Sequence, residues 1–242
     1  VDVKRHKADR HDVDVGWHCC DVSGCDFKAK QSSNLTSHVA SMHSSVYEAR
    51  KKIQEERVRM ALLRAGYTEV FSRNNIPPIG SFVREYTIDF RCEGMVADKS
   101  CARIDFVLSL PGGLVFLEVD ENQHTYGYEG MVSCDMKRMG QVLEALAIEA
   151  CDPERVPHVF WLRYNPNAWH IDGECRRVPK DNREVFLLGW LGEFESTGCW
   201  AIGYAFYDCD ADGNLDVLDN EHYHPQYREV AVNLTDPSES GL

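Results

Sequence analysis

Apolar residues fall in two rhythms along this chain, one helical and one alternating, and the rhythms interleave by segment. From Val46 to Tyr67 a stretch rich in Arg, Lys, Glu and Ala carries Ile53, Met60 and Leu63 at helical spacing and predicts one long helix. Ile104, Phe106, Leu108 and Leu110 alternate as a strand, Pro111-Gly112-Gly113 supplies a turn, and Leu114 to Asp120 returns antiparallel. Ser133 to Ile148 reads as another helix, with Met139, Val142 and Leu146 on one face. Pro157 to Asn165 has the composition of a buried strand, and Trp200, Ile202, Tyr204 and Phe206 alternate as one more. Asp208 to Gly213 has the acid spacing that opens a calcium loop. It follows a strand rather than a helix, however, and its twelfth position is Asp219 rather than Glu, so a hairpin turn is expected.

A different pattern governs the start of the chain. Cys20, Cys25, His38 and His43 are spaced C-x4-C-x12-H-x4-H, which puts two thiolates on a short hairpin and two imidazoles one helical turn apart, as tetrahedral Zn2+ requires. This is the pattern of a Cys2His2 zinc finger. Leu35 takes the buried helix position, and Phe27 fills the aromatic place that Ala29 leaves on the same strand face. Val3, His6 and His11 recur 32 residues later as Leu35, His38 and His43, so residues 1–12 read as the helix of a preceding finger in a longer array. The base-reading positions of the finger helix fall on Gln31, Asn34 and Ser37. Gln and Asn can bond an adenine edge bidentately, and double-stranded DNA is the expected partner, although fingers also bind RNA or protein.

Composition narrows the class. The 242 residues allow one sizeable core and one small module. No apolar run approaches a membrane span, and no signal peptide is recognisable. The ten cysteines are scattered, and two have metal-ligand spacing, which favours a reducing compartment, here the nucleus. The net charge of -13 looks unsuited to nucleic acid until it is divided by region: 11 Lys/Arg against 9 Asp/Glu over residues 1–60, 14 against 19 over 61–192, and 1 against 11 over 193–242. The acid lies in the tail. Affinity for phosphate must therefore come from local basic runs such as Arg50, Lys51 and Lys52, or Arg176, Arg177, Lys180 and Arg183, each of which reads equally well as a solvated face.

The chemistry-bearing residues gather around the hairpin. Counting outward from Gly112 makes Asp105 a cross-strand neighbour of Glu118 and Val119, with Asp120 at the same-face spacing from Glu118. Acids so placed repel one another unless a cation lies between them, and carboxylate oxygens are what Mg2+ prefers. Acids facing solvent at a strand end are the alternative. His124 follows closely and can exchange a proton near neutrality. Asp135 lies on the stripe of its helix, four residues before Met139. On the first long helix Glu56 shares the stripe of Ile53 and Met60, with Glu55 a close competitor on the neighbouring face.

Together these residues resemble the restriction-endonuclease-like PD-(D/E)XK nucleases, in the branch related to very-short-patch repair endonucleases, whose homing-endonuclease members carry an E, D, H, D constellation. The resemblance rests on the helical Glu56, RIDFVL with Asp105, FLEVDENQH with Glu118, Asp120 and His124, and CDMKRM with Asp135, over about residues 48–165. It implies a mixed sheet flanked by helices, Asp105 binding a catalytic Mg2+ with the assistance of Glu118, His124 as general acid/base, and Glu56, Asp120 and Asp135 completing the site. Asp120 stands where relatives carry lysine, so His124, Lys137 or Arg138 would supply the positive or proton-transferring role. Arg163, at the end of its strand, would reach the site or the DNA backbone, or simply emerge there.

The expectation is an α/β protein in four parts. They are a finger-helix remnant over 1–12, a ββα zinc finger over 13–45, a nuclease domain over 46–192, and an acidic β-rich extension over 193–242. Its expected activity is Mg2+-dependent, finger-directed cleavage of DNA of the homing or mobile-element type, with a homodimer as one route to cutting both strands and a single-strand nick as the alternative. A finger protein with a silent nuclease fold and an RNA-processing nuclease are the rivals.

Overall fold

The structure, a computed structural model, describes residues 16–21, 27–42, 45–71, 75–91, 97, 99–124, 131–150, 157–195, 200–221 and 223–235. The chain divides into two units, residues 1–56 and 57–242. In the first, strands β1 (His18–Cys19) and β2 (Lys28–Ala29) pair antiparallel, His18 opposite Ala29, and helix α1 (Ser32–Met42) packs on them. Ala29 faces inward and is buried.

Helix α2 (Ser45–Arg64) begins in the first unit and ends in the second. It ends because Gly66 adopts a φ of 92°, while Gly66 N–H donates to the Leu63 carbonyl and Tyr67 N–H to that of Leu62, a Schellman cap that glycine alone makes without strain. The buried face of this helix differs from the expected one. Ile53 and Met60 are exposed, and Val58, Ala61 and Leu62 are buried. Met60, Ala61, Leu62 and Leu63 are consecutive apolar residues that encircle the helix, so the sequence pattern alone did not single out a face.

The second unit is an α/β layered structure on a mixed seven-stranded sheet. Its strands are β3 (Thr68–Val70), β4 (Ser81–Asp89), β5 (Cys101–Leu110), β6 (Gly113–Val119), β7 (Val159–Tyr164), β10 (Ala201–Ala205) and β11 (Ala231–Asn233), in the spatial order β11-β10-β7-β6-β5-β4-β3. β4, β5 and β6 form an antiparallel meander, with β3 parallel to β4 at one side and β7, β10 and β11 parallel to β6 at the other. A separate hairpin, β8 (Trp169–Ile171) and β9 (Glu174–Arg176), leads into α4 (Lys180–Glu193), and a short α5 (Pro225–Arg228) precedes β11. The acidic segment from 193 onward is thus not an appendage: it supplies two strands of the main sheet.

Each face of the sheet is covered. On one, Phe116, Trp161, Ile202 and Tyr204 pack with Met139, Val142 and Leu146 of α3 (Met131–Ala150), the crossover between β6 and β7. On the other, Phe82, Phe106, Leu117 and Leu162 pack with Val58 and Leu62 of α2 and with Leu187 and Leu191 of α4. Burying a side chain of this size stabilises by about 1.5–3 kcal/mol, so two continuous apolar layers explain why the sheet persists despite the chain's charge.

The expected single face of Ile104, Phe106, Leu108 and Leu110 is broken in the middle. Ile104 belongs to the α3 layer, and Phe106, Leu108 and Leu110 to the opposite one. The cause is a kink. The register opposes Arg84 to Phe106 and Tyr86 to Ile104, while Glu85, with a φ of 53°, and Asp105 face each other outside the ladder. Asp208 to Gly213 forms a turn as expected: Cys209 bridges antiparallel to Leu215, and Asp210 accepts from the backbone of Asp212 and Asn214.

Candidate functional site

Four carboxylates meet at the end of the β5–β6 hairpin. Asp105 sits at the kink in β5, and its Oδ2 accepts from Val119 N–H at 2.9 Å, so the side chain reaches across to the last residue of β6. Glu118 follows Leu114 and Phe116 at the two-residue spacing that turns side chains toward the α3 layer, and it is 4% exposed. Asp120, just past the strand, is anchored by its N–H donating to the Tyr164 carbonyl at 2.8 Å. Asp135 comes from the start of α3. The hairpin count from Gly112 therefore gives the right cross-strand neighbours.

Two arginines lie among these acids. Arg163 of β7, in register with Glu118, is buried; its Nε donates to Asp120 Oδ2 and its Nη2 to Asp135 Oδ2 at 2.7 Å. Of the places expected for Arg163, the structure gives it the site, beneath the surface. Tyr207, also buried, donates its hydroxyl to the same Asp120 oxygen at 2.6 Å. Arg138, one turn along α3 from Asp135, puts Nη2 3.1 Å from Glu118 Oε1 and 3.9 Å from Asp135 Oδ1, while its Nη1 donates to the Arg103 carbonyl at 3.2 Å.

The electrostatics follow from this crowding. Burial pushes the Glu118 carboxyl well above its ordinary range; Arg138 pulls it down, but Asp105 and Asp120 push it up further. Asp105 is raised chiefly by burial as well, against the pull of the Val119 hydrogen bond, with Asp120 and Glu85 adding to the rise. Burial works against the charge of Arg163, yet Asp120 and Asp135 outweigh it and hold its proton more firmly than usual. Tyr207 is raised by burial and by Asp120.

The fit to a metal has two sides. Glu118 Oε1 is a buried carboxylate oxygen with no hydrogen-bond partner, and such an atom invites an explanation; a hard cation is one. Among the described residues, however, no three His, Cys, Asp or Glu side chains converge closely enough to hold an ion as they stand. In kind, carboxylate oxygens such as those of Asp105 and Glu118 are donors that suit Mg2+. In this arrangement their neighbourhood is shared with a guanidinium.

The other expected residues fall in several places. His124 ends a 3-10 turn, Glu121–His124, and its side chain lies outside the described residues. That turn is secured by Gln123, which exchanges two hydrogen bonds with Asp208, at 2.7 Å to its carboxylate and 2.8 Å from its N–H. Lys137 is exposed on α3. Glu56, the last residue of the first unit, is exposed, and it is Glu55 that is buried.

In the segment expected to form a finger, Cys20 is half-buried and its N–H donates to the Phe27 carbonyl at 2.9 Å. His38 stacks on Phe27 with ring centroids 3.8 Å apart. Gln31 is half-buried and Asn34 exposed. Cys25, His43, the Ser37 side chain and the remnant over 1–12 lie outside the described residues.

Two neighbours of the site went unread in the sequence. Glu85 is placed against Asp105 by the kink, and no periodic signal marks it. Tyr207 arrives from the acidic tail, 87 residues from Asp120, and only sheet topology could bring it there. No family model matches the chain, and no curated protein or solved structure matches it either.

Proposed function

We propose that this protein is a metal-dependent endonuclease of double-stranded DNA, with a restriction-endonuclease-like second unit and a zinc-bound finger as its address. One observation carries the catalytic half. Asp105, Glu118, Asp120 and Asp135, drawn from separate elements, share one end of a hairpin, and a buried oxygen of Glu118 is left without a hydrogen bond. Gathering like charges costs free energy, and a cluster kept despite that cost suits a cation.

Asp105 and Glu118 would hold Mg2+, which when bound polarises a phosphodiester and renders water nucleophilic near neutral pH. Arg163 and Tyr207 hold the Asp120 carboxylate in place, and Arg163 aligns Asp135 beside it. His124, carried on the turn that Gln123 locks, would move the proton to or from water or the leaving oxygen. Lys137, in solvent on the same helix as Asp135, would meet a phosphate. In the first unit Cys20, Cys25, His38 and His43 would hold Zn2+, and Gln31, Asn34 and Ser37 would face bases. Cutting both strands would take two chains.

The pairing of Arg138 and Arg163 with the acids favours a second reading, a finger protein whose nuclease fold has turned its carboxylates into structural ion pairs. Incubating the full chain with duplex DNA and Mg2+ separates the two, with RNA as a competing substrate. Cleavage is expected, and Asp105→Asn and Glu118→Gln should each lower it by more than the roughly 10–100-fold that loss of an outer-shell partner costs. Cleavage undiminished in both variants removes the assigned site. Finger-dependent binding without any product supports the second reading.

A further inference from the structure

Arg138 and a metal ion would make incompatible demands on one oxygen. The Arg138 guanidinium is 3.1 Å from Glu118 Oε1, yet that oxygen accepts no hydrogen bond, so the pair is held by charge without directional bonding. A small cation bound at Glu118 would lie within a few ångströms of the guanidinium, where two positive charges repel strongly at the low effective dielectric of a buried site. The two arginines differ in freedom. The Arg163 side chain is 4% exposed and hydrogen-bonded to both Asp120 and Asp135, whereas that of Arg138 is 27% exposed and donates to an exposed backbone oxygen, that of Arg103, on a helix whose adjacent Lys137 is in solvent. An arginine with a flexible stem and a route outward can trade a carboxylate for a phosphate at little cost.

We infer that Arg138 is a tethered cation that pairs with Glu118 and Asp135 and leaves them for a nucleic-acid phosphate when a divalent ion enters. The inference rests on the metal-site reading given above. Its consequence is coupling: the polyanion draws Arg138 away and strengthens ion binding, and by linkage the ion strengthens polyanion binding by the same factor.

The test is calorimetric titration of the zinc-loaded full chain with Mg2+ alone, comparing wild type, Arg138→Gln, Arg138→Lys, Lys99→Gln and Glu118→Gln. Arg138→Gln is expected to bind Mg2+ tighter, roughly 5- to 150-fold, the span of typical coupling. Arg138→Lys keeps the charge and should stay near wild type, and Lys99→Gln makes the same change in net charge on the exposed surface and should leave affinity unchanged. Adding a short DNA duplex, with Ca2+ in place of Mg2+, should tighten ion binding in wild type and far less in Arg138→Gln. Equal Mg2+ affinity in wild type and Arg138→Gln, or a gain in Mg2+ affinity in Lys99→Gln equal to that of Arg138→Gln, overturns the inference and leaves the metal site standing. Binding that Glu118→Gln does not weaken, or no binding at all, overturns the site and the inference with it.

Discussion

Tyr164 shows how a single side chain can tie this fold to solution conditions. It is 3% exposed, its ring packs edge-on against Phe206, and burial pushes its phenol from 10.0 up to about 12. Below pH 10 the phenol is neutral in both folded and unfolded chains and costs nothing. Between pH 10 and 12 only the unfolded chain ionises, so stability falls as pH rises through that window. Tyr164→Phe should remove this component, and its stability by urea denaturation should fall less steeply than wild type by about 2–3 kcal/mol between pH 10 and 12. Superimposable pH curves would show that the phenol is not buried as described. The candidate site follows the same logic of burial and neighbours, and its legibility varied by residue. Asp105 and Glu118 could be paired on paper because a tight turn fixes the count across a hairpin. The roles of Arg138 and Arg163 could not, because an arginine in a sequence does not say whether it will meet solvent, phosphate or a buried acid.

At the scale of elements, the parallel packing of β7 and β10 depends on a residue with no side chain. A Cβ at Gly203 would lie 2.7 Å from the Phe160 ring and 2.6 Å from Leu234 Cδ1. Phe160 cannot readily give way, since its ring is packed against Trp190 and Phe194. Gly203→Ala is expected to destabilise by about 1–3 kcal/mol in chemical denaturation, the usual cost of overpacking; a change of a few tenths would mean that Phe160 has somewhere to go. The elements themselves were largely readable. The hairpin, the helix of α3 and the strands β7 and β10 lie where period and turn signals put them. The buried face of α2 and the kink at Glu85 and Asp105 were not readable. Consecutive apolar residues leave a helix face undetermined, and a paired irregularity in two strands is decided by how both pack against different layers.

For the whole molecule, charge distribution sets the terms on which a polyanion could bind. Residues 193–242 carry 11 acids against one base, and the sheet holds this segment as part of the second unit, so that unit should bind duplex DNA weakly by itself. The proposed finger is therefore expected to carry most of the affinity. Stripping Zn2+ with a chelator should weaken duplex binding at physiological salt by about tenfold or more, equivalent to roughly 1.4 kcal/mol, and should leave the thermal unfolding of the second unit in place. Affinity that survives chelation would move the address out of Cys20, Cys25, His38 and His43.

By itself the amino-acid sequence determined the α/β interleaving, the hairpin and the cross-strand pairing of Asp105 with Glu118, because these depend on neighbours a few residues apart and on the fixed periods of helix and strand. Only the tertiary structure decided that the acidic tail enters the sheet, that Tyr207 and Arg163 clamp Asp120, and that Arg138 lies against Glu118. Those contacts join residues tens of positions apart, and they are fixed by strand order and by the burial of two apolar layers, which no local pattern encodes.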